Sequence, residues 1–342
     1  MQLDSCRELK AELSRQLSEI RISTTNGTTA TPVIALGIAP AADGEYTLAV
    51  RIHGDTDDGQ SVEDLLARID RDAYGEIDVR KVGPVHPLVV RPDIVDAADT
   101  AQTPNELQKR VRPLVPGLSI GHPDVTAGTL GGFVTVGGVL HVLSNNHVLA
   151  NSDQAMFGDP ILQPGTYDGG KLAKDRVATL VTFAPLSADS PNLVDAAIAS
   201  LDAGIEADPR AYPGGPVGSV AVDPPEDPAV EKIGRTTGHT TGKITAFEVD
   251  GLRIDYDGRV LTFDDQIEIE GDNGAFSAGG DSGSVIWTSA GRAGYGLLFA
   301  GSTSGGSNGA GLTYANPLWM VLERLGVKWV GESVAESETK PH

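Results

Sequence analysis

The chain has 342 residues and a formal net charge of −21, with 40% hydrophobic and 21% charged residues, the composition of an ordinary soluble globular protein. The negative charge argues against a nucleic-acid partner, because phosphate binding needs clustered Lys and Arg. Cys6 is the single cysteine, so an intramolecular disulfide is impossible and a reducing compartment is favoured. No apolar run approaches the roughly 20 residues of a membrane span, and the start of the chain is charged. We therefore expect a cytoplasmic protein that does not bind membranes.

Residues 1–83 predict a small α/β domain. In chain order the predicted elements are a helix over 3–20, strands over 33–39 and 46–54, a helix beginning near Ser61, and a strand over 76–82. The acidic stretch over residues 55–59 has no glutamate placed to close a calcium-binding loop, so we expect no metal site there. We regard this domain as an accessory unit, because it contains no candidate for catalysis.

Six prolines interrupt residues 84–116 and leave room only for a short helix around 105–111. This segment is predicted to be a proline-rich linker or wrapping arm between domains. From residue 117 onwards, short apolar or alternating runs lie between Gly, Pro, Asn and Asp clusters, which favours an antiparallel sandwich or barrel. Helical spacing returns over 317–325. The predicted domain therefore spans 117–330, and residues 331–342 form a polar tail.

The stretch GGDSGS, residues 279–284, is either an ordinary surface turn or a serine held on a glycine turn for nucleophilic attack. Serine is a weak nucleophile at neutral pH, so the second interpretation requires a base and an acid that orients the base. His147, in LSNNHVL, follows an apolar strand and is the best candidate for the base. Asp195 begins an apolar strand and is the best candidate for the acid. Either residue alone would more simply be structural.

The order His147, Asp195, Ser282 is similar to that of chymotrypsin-type enzymes and differs from the orders in α/β-hydrolases and subtilisins. Residues 117–325 resemble a trypsin/chymotrypsin-fold serine peptidase. The stretches that carry the resemblance are IGRTTG with GKITA (233–246), GDSG with WTSAG (280–291), and GLLFAG (296–301). They are most similar to bacterial lytic-type peptidases, whereas LSNNHVL resembles the intracellular branch that includes the plant narrow-leaf peptidases.

The resemblance implies a mainly β fold of two antiparallel Greek-key barrels, the first over 117–205 and the second over 215–316, with the active site between them. It implies that His147 is the general base, Asp195 its orienting acid and Ser282 the nucleophile. The amides of Gly280 and Ser282 would form the oxyanion hole. Lys232 would pair with Asp281 beneath this hole and replace the cleaved amino terminus of zymogens.

The resemblance also implies a substrate pocket, but with departures from the family pattern. Phe276 lies where the pocket floor is expected, and Ser277, Leu298, Ala300 and Gly301 would line the remainder, which suggests a small or medium apolar side chain. Ser284 and Val285 follow Gly283 in place of the usual continuation of the motif. Phe299 replaces a serine that usually supports the acid.

These features predict an intracellular serine endopeptidase without metal or organic cofactor, acting on a protein or peptide substrate. They leave open whether it is a monomer or a homo-oligomer. The alternative is a protease-fold scaffold that binds peptides without cutting them. The same chemistry would also permit hydrolysis of small acyl esters.

Overall fold

The computed structural model describes residues 1–19, 22–23, 29–30, 34–53, 59–90 and 105–331. Outside these ranges lie residues 55–58 of the acidic stretch, residues 91–104 of the proline-rich segment and the polar tail beyond 331. So does the side chain of Ser61, although its helix is described from Gly59. Within the described residues, no helix is both long enough and apolar enough to span a membrane.

The amino-terminal part is a small sheet covered by two helices. Its elements are α1 (Leu3–Glu19), β1 (Ile22–Ser23), β2 (Thr29–Ala30), β3 (Ile34–Pro40), β4 (Tyr46–His53), α2 (Gly59–Asp72) and β5 (Ile77–Val82), and β1 and β2 pair with each other apart from the sheet. β6 (Val85–Pro87) follows in the proline-rich segment. β3 and β4 are antiparallel, and β4 and β5 are parallel. Leu13 of α1 and Leu65 and Ile69 of α2 pack with Leu36 and Leu48 of the sheet, because helical spacing places the apolar residues of each helix on one face.

The next part of the chain forms a six-stranded curved sheet, the first barrel. The elements of this part are β7 (Ser119–Ile120), β8 (Gly128–Thr129), β9 (Gly132–Val136), β10 (Val139–Ser144), α3 (Asn146–Leu149), β11 (Pro160–Leu162), α4 (Leu172–Asp175), β12 (Arg176–Phe183) and β13 (Ala197–Leu201). β7 and β8 pair with each other as a separate two-stranded sheet. The strand order of the six-stranded sheet is β11-β12-β13-β10-β9, and the two-residue strand Lys328–Trp329, near the end of the chain, pairs with β9 as the sixth strand. Phe133, Val142, Ile161 and Leu180 are among the residues of its apolar core.

The second barrel is closed. Its elements are β14 (Ala229–Gly234), β15 (Gly238–Asp250), β16 (Leu252–Tyr256), β17 (Arg259–Phe263), β18 (Gln266–Gly271), β19 (Val285–Thr288), β20 (Gly294–Gly305) and β21 (Gly311–Pro317), followed by α5 (Leu318–Leu325) and β22 (Lys328–Trp329). The order β14-β19-β20-β21-β18-β15 returns to β14, which closes six strands on themselves. Register shifts in β15 and β20 bend these long strands, as β-bulges do. β22 is the two-residue strand that joins the first barrel.

The second barrel and the amino-terminal part share one continuous sheet. β3 pairs with β15, where Phe247 lies opposite Ile38. Arg51 of β4 and Glu268 of β18, both fully buried, form an ion pair with Nε 2.7 Å from Oε2. The strand pairing and the ion pair hold residues 1–83 against the barrel. Whether those residues can fold separately, as the predicted boundary implies, stays a prediction.

The proline-rich segment, predicted to be a linker or a wrapping arm, contains one short strand. Residues 85–87 form β6, which pairs with β20 of the second barrel. The short helix expected around 105–111 is a single 3₁₀ turn, Glu106–Gln108, capped by the Asn105 side chain. Proline lacks an amide hydrogen and limits helix formation here, but it is compatible with a three-residue strand at the edge of a pairing.

Candidate active site

His147 lies directly after β10, at the end of the first barrel. β10 ends at Ser144, whose hydroxyl donates to the carbonyl oxygen of Thr129 at 2.7 Å. The turn that follows is fixed by Asn146, whose side-chain amide donates to the carbonyl oxygen of Ala184 at 2.7 Å. His147 is 4% exposed. The strand end and this polar turn therefore hold the imidazole in a buried position.

Asp195 immediately precedes β13 and is fully buried. Nδ1 of His147 donates to Oδ2 of Asp195 at 2.5 Å, and the His147 backbone amide donates to Oδ1 at 3.2 Å. Burial alone would raise the pKa of this carboxyl. The adjacent His147 imidazole, together with the hydrogen bonds from His147 and Tyr256, outweighs burial and holds the pKa below its usual value. Asp195 is thus arranged to remain ionised and to orient the imidazole.

Tyr256, at the end of β16, completes the surroundings of the acid. Its hydroxyl donates to Oδ2 of Asp195 at 2.5 Å, and its ring centroid lies 6.1 Å from that of His147. The Asp195 amide donates to Oδ1 of Asn316 at 3.0 Å. Phe299 replaces the serine that usually supports this acid, so the sequence leaves open which residue supports it. Tyr256 supplies that support, and its only sequence signal is its place as a buried position in the alternating strand LRIDY.

Ser282 lies on a tight turn bounded by glycines. Gly280 and Gly283 both have φ of 96°, in the left-handed region that favours glycine. The Ser282 hydroxyl donates to the carbonyl oxygen of Phe299 at 3.0 Å, so in this arrangement it does not bond the imidazole. Nε2 of His147 is buried and has no hydrogen-bond partner in the part of the chain that the structure describes.

The serine turn is attached to the first barrel through Thr129. The Thr129 amide donates to the carbonyl oxygen of Ser282 at 2.7 Å, and its hydroxyl donates to the carbonyl oxygen of Gly280 at 2.9 Å. Ser144, at the end of the strand that leads to His147, also bonds Thr129. The turn that carries Ser282 and the turn that carries His147 therefore share an anchor at the cleft between the barrels.

The two amides expected to form an oxyanion hole bind the same oxygen atom. Gly280 N donates to the carbonyl oxygen of Leu88 at 2.6 Å, and Ser282 N lies 3.4 Å from that oxygen. Both amides thus point to one position next to Ser282. Leu88 was not among the predicted site residues, because nothing in its local sequence indicates that it reaches this site.

Asp281 and Lys232 lie beneath the serine turn, and both are fully buried. Lys232 Nζ is 3.4 Å from Oδ2 of Asp281, and it also donates to Thr237 Oγ1 and to the carbonyl oxygen of Gly238. Burial lowers the pKa of the Lys232 ammonium, and the nearby Asp281 carboxylate partly opposes this shift. Asp281 accepts further hydrogen bonds from the amides of Thr236 and Ala278.

The residues expected to line a substrate pocket lie around β20. Phe276 and Leu298 are buried in one apolar cluster, against which Leu88 packs. Ala300 and Gly301 of β20 lie opposite Pro87 and His86 of β6. Ser277, the remaining residue of the predicted pocket, forms a hydrogen bond between its hydroxyl and that of Thr313 at 2.6 Å. A side chain at the position of Leu88 therefore contacts apolar side chains, and the role of these residues as a substrate pocket stays a prediction.

Neither protein-family models nor curated proteins match the chain. Several solved structures are similar in fold. Thermobifida fusca Protease A aligns at 16% identity and a TM-score of 0.45, over 64% of this chain and 98% of that chain. Cellulomonas bogoriensis chymotrypsin aligns at 19% identity and a TM-score of 0.44, over 64% of this chain and 98% of that chain. Alpha-lytic protease homolog N4 aligns at 16% identity and a TM-score of 0.43, over 63% of this chain and 98% of that chain.

At this level of identity the likeness concerns the fold alone. The expected fold class is confirmed: the chain is mainly β and contains a closed six-stranded barrel beside a second curved sheet. The structures reported above are those of proteases, the class of protein that the sequence resembles.

Proposed function

We propose that this chain is a serine endopeptidase that cuts peptide bonds through an acyl-enzyme intermediate. The observation that carries the proposal is the convergence of the Gly280 and Ser282 amides on one carbonyl oxygen beside Ser282. Two preorganised N–H donors at a developing oxyanion are the largest stabilising element in acyl transfer. The buried His147–Asp195 pair supports the proposal, since it leaves the imidazole Nε2 free to accept a proton.

In the proposed reaction Ser282 Oγ attacks the carbonyl carbon of the substrate, and His147 Nε2 takes the hydroxyl proton. Asp195 keeps Nδ1 protonated and stabilises the imidazolium, while the oxyanion accepts hydrogen bonds from Gly280 N and Ser282 N. His147 then gives its proton to the leaving amine. Water hydrolyses the Ser282 ester by the same steps and releases the carboxylate product.

Before this reaction the Ser282 hydroxyl must exchange its hydrogen bond. It donates to the Phe299 carbonyl oxygen, whereas the reaction requires it to donate to His147 Nε2. The same hydrogen bond is the observation that favours a second function, a protease-fold scaffold whose serine stays turned away from the base. Such a protein would bind peptides in the cleft without cutting them.

The site of action is proposed from composition. Cys6 is buried in the apolar core, so no disulfide supports the loops around the cleft. A protein without disulfides is suited to a reducing compartment, and we accordingly propose an intracellular protein or peptide as the substrate.

Ser282→Ala separates the two functions. The assay is hydrolysis of a peptide p-nitroanilide ending in Pro-Leu, together with covalent labelling by a fluorophosphonate. For a peptidase, the substitution should lower turnover by up to about a million-fold and abolish labelling. The matched control is Ser200→Ala, on β13, which should behave as wild type. A wild-type chain that binds the peptide but neither cuts it nor reacts with the probe would establish the scaffold.

A further inference from the structure

Residues 85–90 of this chain lie in the cleft in the manner of a bound peptide. β6 runs antiparallel to β20, with Pro87 opposite Ala300 and His86 opposite Gly301. The pairing continues one residue further, because the Leu88 amide donates to the carbonyl oxygen of Phe299 at 3.1 Å. His86, Pro87 and Leu88 are thus held along β20, as an extended peptide is held when it adds to the edge of a sheet.

The carbonyl group of Leu88 occupies the reactive position. Its oxygen accepts from Gly280 N at 2.6 Å and lies 3.4 Å from Ser282 N. Within residues 85–90, the Gly280 and Ser282 amides would therefore activate the carbonyl carbon of Leu88. A carbonyl bound by both amides is polarised in the direction that nucleophilic attack requires.

The side chain of Leu88 fills the adjacent apolar space. It packs against the cluster that contains Phe276 and Leu298. A Cβ added at Gly301 would lie only 3.1 and 3.3 Å from the two methyl carbons of Leu88. The missing side chain at Gly301 leaves the room that the leucine occupies. An apolar residue of this size is the one that the walls of the pocket select.

The two residues after Leu88 pass from the serine turn to the first barrel. Gly279 allows the chain to pass closely, since a Cβ there would lie 3.0 Å from the carbonyl oxygen of Val89. The carbonyl oxygen of Val90 accepts from the Thr126 hydroxyl at 2.7 Å. Thr126 belongs to the first barrel, whereas β20 belongs to the second. The Leu88–Val89 bond therefore lies between a contact to the second barrel and a contact to the first.

The amino-terminal part delivers this segment to the cleft. The Arg51–Glu268 ion pair and the pairing of β3 with β15 fix it to the second barrel. Gly83 also runs closely along β20, because a Cβ there would lie 2.6 Å from the Ser304 hydroxyl. An occupant held within the same chain has a high effective concentration at the site, which favours it over a free peptide.

We propose that the chain cuts itself between Leu88 and Val89. This inference rests on the proposed peptidase function, because the same residues perform the cut. Ser282 Oγ attacks the Leu88 carbonyl carbon and its proton moves to His147 Nε2. The Leu88–Val89 C–N bond then breaks, and that proton passes to the Val89 nitrogen, which becomes a new amino terminus. Water hydrolyses the Leu88–Ser282 ester, leaves a carboxylate on Leu88 and returns the proton to Ser282.

The experiment follows purified full-length chain by intact-mass spectrometry and amino-terminal sequencing. The expected products are residues 1–88 and 89–342, formed at a first-order rate that does not depend on protein concentration. Ser282→Ala should stay whole, also when it is mixed with wild-type chain. Leu88→Glu places a charge against the apolar wall and should slow the cut at least tenfold, on the order of the discrimination an apolar pocket provides. Leu88→Met should still be cut, and Leu172→Glu, at an exposed leucine, is the matched control and should be cut as wild type.

Other outcomes contradict either the self-cleavage at Leu88–Val89 or the peptidase function on which it rests. A cut at a different bond, or a cut in Ser282→Ala, excludes self-cleavage at Leu88–Val89. If wild type stays whole while Leu88→Glu hydrolyses the Pro-Leu p-nitroanilide through Ser282, the segment only blocks the cleft and the self-cleavage is overturned. If wild type stays whole and neither chain hydrolyses that substrate or reacts with a fluorophosphonate, the peptidase function itself fails. Circular dichroism of each variant shows whether a lost cut reflects a lost fold.

Discussion

The Tyr256 hydroxyl and Nδ1 of His147 both donate hydrogen bonds to Oδ2 of Asp195, each at 2.5 Å. Oδ2 therefore accepts two short hydrogen bonds in a site with no exposed surface at Asp195. A buried carboxylate needs such partners to remain ionised. Tyr256 is thus a positioning residue, since it acts on the acid and not on the substrate.

Tyr256→Phe should lower turnover and leave substrate binding nearly unchanged. The hydrogen bond to a charged group is worth about 1.5–3 kcal/mol, which corresponds to a roughly 10- to 100-fold loss in kcat. Steady-state kinetics on the peptide p-nitroanilide measure kcat and KM separately. Tyr212→Phe is the matched control, because its buried hydroxyl donates to the carbonyl oxygen of Gly131 and does not contact Asp195. Equal kinetics in wild type and Tyr256→Phe would contradict the role of this hydroxyl.

Lys232→Met should weaken both the fold and the oxyanion hole. The change removes the ammonium that lies 3.4 Å from Asp281 in a fully buried site. Loss of one partner of a buried pair typically costs about 3–5 kcal/mol of unfolding free energy. Because Gly280 precedes Asp281, turnover of a small ester should also fall. Urea unfolding and ester kinetics test the two effects, with Lys243→Met at an exposed position of β15 as control. Unchanged ester turnover in Lys232→Met would show that the Lys232–Asp281 pair does not support the oxyanion hole.

Arg51→Met should destabilise the whole chain, because it leaves the Glu268 carboxylate buried without its cation. Burial alone would raise the pKa of Glu268, and Arg51 is the main group that holds it below its usual value. We expect a loss of about 3–5 kcal/mol in the unfolding free energy by urea denaturation. Adding Glu268→Gln should recover part of that loss. The exposed Arg68→Met should change stability by less than about 0.5 kcal/mol.

His53 should make the unfolding free energy depend on pH. Burial lowers its pKa to about 4 from 6.5, helped by Arg51 and Arg253 and opposed by Glu268. Between these two values the unfolded chain binds more protons than the folded chain. Stability therefore rises with pH across this window and is lost as pH falls from about 6.5 to about 4, by up to about 3 kcal/mol.

The measurement compares urea unfolding of wild type and His53→Asn at pH 7 and at pH values down to about 4. Other titrating groups contribute equally to both proteins, so the difference isolates His53. The variant should lose less stability on acidification. The same loss in both proteins would show that His53 does not titrate in this way.

Much of the fold and of the candidate site follows from local sequence. Helical spacing over residues 3–20 predicted α1, and the short alternating runs after residue 117 predicted antiparallel strands. The glycine turn around Ser282 and the strand-end position of His147 are also local features, because φ preference and strand periodicity act over a few residues. The strand predicted over 76–82 and the helix predicted over 317–325 match β5 and α5 to within a residue at each end.

Other parts were decided by pairing between distant segments. The residue types that acyl transfer requires, and their order along the chain, can be read from the sequence. The hydrogen bond from Tyr256 to Asp195, and those from the Gly280 and Ser282 amides to the Leu88 carbonyl oxygen, depend on the folded chain. A proline-rich stretch shows that a helix is disfavoured, but not which strand it will join. Strand pairing depends on closure of the barrel and on the surface that packing buries, and neither can be read from a single short segment.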